Sequence, residues 1–197
     1  MNRLAVLIAL WLTVGLELAL RQTLGLSDSA GGIGGPSVTF AFVACIAAFG
    51  PPVAVLWTAF IGGLLIDLTW SVALWGQNGT AAVGQVTFAG PHALGFVVGA
   101  WVVLKSRRVF VRRIPLAVAV LAVLGAVAMQ MSALCILLVR DMIDPAVSLP
   151  PQGLVRLVGA LYTALPALAI AACLRWTLPL LGLPDPYDKR TMYGRGT

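Results

Sequence analysis

The chain predicts an all-α polytopic membrane protein, a compact bundle of about six transmembrane helices, and three observations carry that class. First, 60% of the 197 residues are hydrophobic and only 10% are charged, with a mean hydropathy of +0.97. A soluble domain of this length has no core large enough to hide so much apolar surface. Second, several apolar runs approach or exceed the ~20 residues that cross a bilayer. Third, the basic residues flank those runs, so the net charge of +6 reads as membrane orientation rather than nucleic-acid binding.

The first span covers about 4–20. Its start resembles a secretory signal, yet the apolar run is long, contains Glu17 and lacks a small-x-small cleavage site, so it reads as a retained helix. A Gly/Ser loop follows. The second span, about 33–49, is short; its firmly apolar part from Val38 to Phe49 is ~18 Å long at 1.5 Å per residue, which suits a short crossing or a re-entrant segment. Gly50-Pro51-Pro52 stops it, because proline breaks a helix interior but fits the first turn of the next one. The third span is 53–70. After an uncharged turn-rich loop, WGQNGT, the fourth span runs over 81–104 and carries Gln85, Pro91, His92 and a GxxxG pair, Gly95 and Gly99. The basic loop KSRRVFVRR leads to a fifth span at 114–139 and, past a proline-rich loop, a sixth at 154–181 interrupted by Pro166; residues 183–197 form a polar tail.

Charge tests the topology. With six spans and both termini cytoplasmic, ten Lys and Arg residues fall inside and three outside, as the positive-inside rule requires. The inverted arrangement breaks that rule, and so does a second span that fails to cross.

The stretch around Asp67 is the most informative. Gly63 and Asp67 share a helix face and Gly62 adjoins them, so a neighbouring helix can approach closely where the acid sits. A charge at membrane depth costs roughly 2.5–3.5 kcal/mol on insertion scales and normally faces other helices or a wet cavity. The polar set of Glu17, Asp67, Gln85, His92, Gln130 and Tyr162 admits two readings. One is a proton path or polar substrate pocket. The other is that Glu17 and Asp67, near the outer ends of their spans, cap or hydrogen-bond neighbouring helices or reach headgroup water. A lone histidine makes a poor metal site. The three cysteines have no CxxC spacing, and no GxSxG, HExxH, Walker or Rossmann pattern occurs, so no enzyme, metal or cofactor is expected. The basic residues Lys105, Arg107, Arg108, Arg112 and Arg113 are candidates for lipid or partner contact.

GGLLIDL at 62–68, the short outer loop, the glycine-bearing fourth span, the basic loop before the fifth and the sixth span with Pro166 together resemble the rod-shape-determining protein MreD family over roughly residues 1–182. GQNGTAAVGQVTFAGPHALG departs from the simpler glycine-led helix usual there. The resemblance implies a non-enzymatic scaffold of the bacterial inner membrane. It would act in cell shape and lateral peptidoglycan synthesis with an MreC-like membrane protein, an MreB-like filament and cell-wall synthases. It also implies a fold similar to the substrate-binding subunits of energy-coupling vitamin transporters. That supplies an alternative function, with a pocket near Trp70, Trp75, Gln77, Asn78 and His92; an ion-coupled carrier using Asp67 and Glu17 is a third.

Overall fold

The computed structural model describes residues 2–24, 36–69, 72–75, 82–86, 90–108, 115–143 and 153–183. Its helices are α1 (Arg3–Leu24), α2 (Val38–Phe49), α3 (Pro52–Thr69), α4 (Pro91–Ser106), α5 (Pro115–Ile143), α6 (Gly153–Tyr162) and α7 (Ala164–Leu181). Four segments are long and apolar enough to cross a membrane: 3–20, 52–69, 115–140 and 156–173, the last running across α6 and α7. The protein is therefore a multi-pass, helical membrane protein.

Helix α2 is the hub. Eleven of its twelve residues are buried, and it touches α1, α3, α4, α5 and α7. Its sequence, VTFAFVACIAAF, has no polar face to turn outward, and a helix apolar all round belongs inside. Small residues let the neighbours close in, since hydrophobicity drives no helix association within lipid. The tightest junction joins α2, α4 and α5. A Cβ on Gly99 would lie 2.6 Å from the Gly125 carbonyl and 2.7 Å from the Phe40 ring. The Phe40 ring fills the space that both glycines leave, and meets Phe96 edge-on at 5.3 Å between centroids.

Three boundaries differ from the sequence expectation. Within the expected second span, residues 33–35 lie outside the described residues, and helix α2 starts at Val38 with Ser37 as its N-cap, accepting from the Phe40 amide. The fourth does not begin at residue 81. Residues Ala82–Val86 form β2, which pairs antiparallel with β1 (Val72–Trp75) through Val72↔Val86 and Leu74↔Gly84, with an irregularity between Leu74 and Trp75. This hairpin is a small insertion in an otherwise helical architecture. Helix α4 waits for Pro91, whose fixed φ suits the first helical position, behind Gly90 at φ +133°, a conformation that side-chain-bearing residues rarely adopt. The sixth span breaks into α6 and α7 at Thr163. Pro166 lacks an N–H for the Tyr162 carbonyl and its ring crowds that turn. The tail after 183 lies outside the described residues.

Candidate functional site

Two short helices, α2 and α4, begin inside the bundle, and each presents first-turn N–H groups that no helical carbonyl can reach. A carboxylate from the preceding long helix meets each of them.

At α4 the carboxylate is Asp67, in the last turn of α3 and 2% exposed. Its Oδ2 accepts from the amides of Gly90 at 2.8 Å and Ala93 at 3.0 Å. Its Oδ1 accepts from the His92 amide at 3.1 Å and lies 2.7 Å from His92 Nδ1. An ionised carboxylate only accepts, so Nδ1 carries the proton in this contact and the ring orientation is fixed. One side chain thus receives four hydrogen bonds, and its negative charge faces the positive end of the helix dipole. The contact is possible because Gly63, one turn earlier, has no side chain. A Cβ there would lie 2.5 Å from the His92 carbonyl oxygen and 2.6 Å from Ala93 Cα. Gly63 sets the distance and Asp67 uses it.

At α2 the carboxylate is Glu17, 1% exposed on α1. Its Oε2 accepts from the Thr39 amide at 2.8 Å and from the Ser37 hydroxyl at 3.3 Å. Ser37 Oγ in turn accepts from the Phe40 amide at 3.2 Å. The Ser37 amide donates to Thr163 Oγ1 at 3.1 Å, so the break between α6 and α7 also serves this helix start. The far end of α2 is held by a cation: Arg107 Nη1 donates to the carbonyls of Ala47 at 2.9 Å and Gly50 at 2.7 Å. Negative charge at the N-terminus and positive charge at the C-terminus both complement the dipole of α2.

The structure brings Gly63, Asp67 and His92 together and places Glu17 at a second, equivalent junction. Gly62 faces Leu10, Phe96 and Thr39, and Gly95 faces the Met129 carbonyl and Ser132 on α5. Gln130 accepts from buried Arg156 at 3.4 Å, whereas Tyr162 is exposed. The basic cluster divides. Arg107 turns inward to α2; Lys105 is exposed with its ammonium 5.5 Å from the centre of the Trp101 ring; Arg108 is exposed. Arg112, Arg113, Trp70, Gln77 and Asn78 lie outside the described residues, and Trp75 and Gln85 are described only as strand residues. Among the described residues no three His, Cys, Asp or Glu side chains gather to hold a metal ion.

Sequence reasoning missed Ser37, Thr163, Gly125 and the inward turn of Arg107. Ser37 carries a signal, a capping residue directly before an apolar run. The others depend on tertiary distance. Comparison with protein-family models, curated proteins and solved structures finds no match to this chain.

Proposed function

We propose that the chain is a non-enzymatic membrane scaffold of the cell-elongation machinery, docking an MreC-like membrane protein and cell-wall synthases in the bacterial inner membrane. In this reading all six hydrophobic segments cross, both termini are cytoplasmic, and α2 and α4 are short crossings shielded by their neighbours. Irregular backbone at membrane depth is tolerated where protein surrounds it, and the ten-to-three split of basic residues supports the orientation.

The observation that carries the proposal is the use to which the buried acids are put. Asp67 spends its acceptor capacity on the start of α4, and Glu17 accepts from the Thr39 amide and the Ser37 hydroxyl at the start of α2. Such acids fix a rigid bundle, whereas a coupling acid in a carrier must exchange partners during transport. The outward faces of α1 and α3 are apolar and carry Trp11, Trp57 and Phe60, as suits contact with other membrane helices.

Affinity purification from the native membrane in mild detergent, with crosslinking, tests the reading. Recovery of an MreC-like protein or cell-wall synthases is the expected outcome. Recovery of an ATPase-bearing transport module, together with stabilisation by a small molecule, would replace it with the substrate-binding subunit.

A further inference from the structure

Helix α4 leaves one stripe uncovered by the bundle. Leu94, Val98, Trp101, Lys105 and Arg108 recur at steps of three and four, which keeps them on one face of the helix and of the turn that ends it. All five are exposed. Toward the C-terminus the stripe is aliphatic, then aromatic, then cationic, and the Lys105 ammonium stands 5.5 Å from the centre of the Trp101 ring. Contacts within the bundle fix the level of the cationic end. Arg107, between Lys105 and Arg108, donates to the Gly50 carbonyl at 2.7 Å, and Gly50 lies just before the segment 52–69, which is long and apolar enough to cross a membrane. A second such segment, 115–140, begins shortly after Arg108. Lys105 and Arg108 therefore lie at the membrane surface from which both segments start. From Lys105 back to Leu94 the helix rises ~16 Å, close to the ~15 Å of hydrocarbon in one leaflet.

We propose that this stripe binds one anionic phospholipid of that leaflet, with the phosphate at Lys105 and Arg108 and an acyl chain along Trp101, Val98 and Leu94. Charge complementarity sets the sign of the headgroup. Two exposed cations stand at this end, while the buried acids Glu17 and Asp67 hold the opposite ends of α2 and α4. Basic residues at a membrane surface attract anionic lipid, whereas a zwitterionic headgroup brings its own cation and leaves the pair uncompensated. Tryptophan suits the headgroup level between them and the acyl chain. The apolar length of the stripe disfavours the other occupants. An acidic segment of a soluble protein meets the two cations and gives Val98 and Leu94 nothing. A second copy of this chain sets the same two cations against these, and like charges repel. Arg107 takes no part, because its guanidinium holds the end of α2. Such a site goes beyond the scaffold reading and stands whether or not the chain is a scaffold.

Native mass spectrometry of the full chain in detergent, titrated with phosphatidylglycerol or with phosphatidylcholine of the same acyl chains, tests the site. The expected result is one phosphatidylglycerol retained under conditions that strip phosphatidylcholine. Lys105→Gln and Arg108→Gln each weaken that retention about fivefold, the scale of one basic residue at an anionic surface, whereas Lys105→Arg keeps it. Arg3→Gln removes an exposed cation elsewhere and leaves retention unchanged. None of these substitutions moves the melting temperature of the lipid-free protein, because the side chains are exposed. Equal retention of the two lipids overturns the proposal, as does equal weakening by Arg3→Gln or wild-type retention in the Lys105→Gln, Arg108→Gln double variant. Glycerol phosphate bound as tightly as the lipid also overturns it, by leaving the apolar stripe without a role. So does a polyglutamate peptide held more tightly than phosphatidylglycerol, or a dimer that the double substitution dissociates, since either assigns the two cations to a protein contact.

Discussion

The starts of α2 and α4 solve one problem with one device but distribute the load differently. At α4, Asp67 alone receives the amides of Gly90, His92 and Ala93 and the His92 ring. At α2, Glu17 takes one amide and a hydroxyl, Ser37 takes the Phe40 amide, and Thr163 takes that of Ser37. Helix α2 is also enclosed by five other helices and tied at its far end by Arg107. A helix start held by one residue fails when that residue fails, whereas a shared one loses only a part. The buried leucine, valine and phenylalanine side chains do not decide this difference, because apolar contact is nearly as good with lipid. Polar satisfaction and close approach decide it.

Substitutions at four positions sharpen or break the comparison. Gly63→Val has the largest expected effect, because its Cβ would meet backbone atoms of His92 and Ala93 that have no rotamer to escape into. Overpacking costs typically ~1–3 kcal/mol, and a rigid backbone contact belongs at or above that range. Loss of folded protein in size-exclusion chromatography and a sharply lower melting temperature are expected. Asp67→Leu comes next. It strips the acceptor from four donors, three of them buried, at about 1–3 kcal/mol for each buried one left unsatisfied, so a loss of at least ~3 kcal/mol is expected in thermal unfolding. Asp67→Asn keeps one acceptor oxygen and is expected to lose about half as much.

Glu17→Leu is expected to cost only ~1–2 kcal/mol, the range of a lost helix cap, because Ser37 and Thr163 remain. A cost equal to that of Asp67→Leu in the same unfolding experiment would mean that the α2 start is not shared at all. The smallest effect belongs to Thr39→Val. The Thr39 hydroxyl is buried with no hydrogen-bond partner among the described residues, and replacing such a group by an apolar one of the same shape is near neutral. An unchanged or slightly raised melting temperature is expected, with the Thr39 amide still bound to Glu17.

Much of this was legible in the sequence, for physical reasons particular to each residue. GGLLIDL announced a close approach beside an acid, since glycine and carboxylate four residues apart share one helix face. The position of Glu17 and Asp67 near the ends of their spans made capping one of two open readings. Pro166 marked the break in the last span, and Pro51-Pro52 the end of α2. What stayed hidden depended on which helices become neighbours. Nothing local distinguishes Arg107 from the other basic residues of its loop, yet it alone of the described ones reaches the end of α2. Phe40 reads as one more apolar residue until Gly99 and Gly125 open a space for its ring. AVGQV at 82–86 alternates too briefly to separate strand from helix, and pairing with Val72–Trp75 settles it as strand.

The most direct test of the capping account is hydrogen–deuterium exchange over the starts of α2 and α4 in the wild-type protein, Asp67→Asn and Asp67→Leu. The expected result is a graded loss of protection confined to residues 90–94, slight with Asn and large with Leu, while residues 37–41 keep wild-type protection. Unchanged protection at 90–94 in Asp67→Leu would contradict the account. So would equal loss in both variants, which would assign the role of Asp67 to its charge rather than to the hydrogen bonds it accepts.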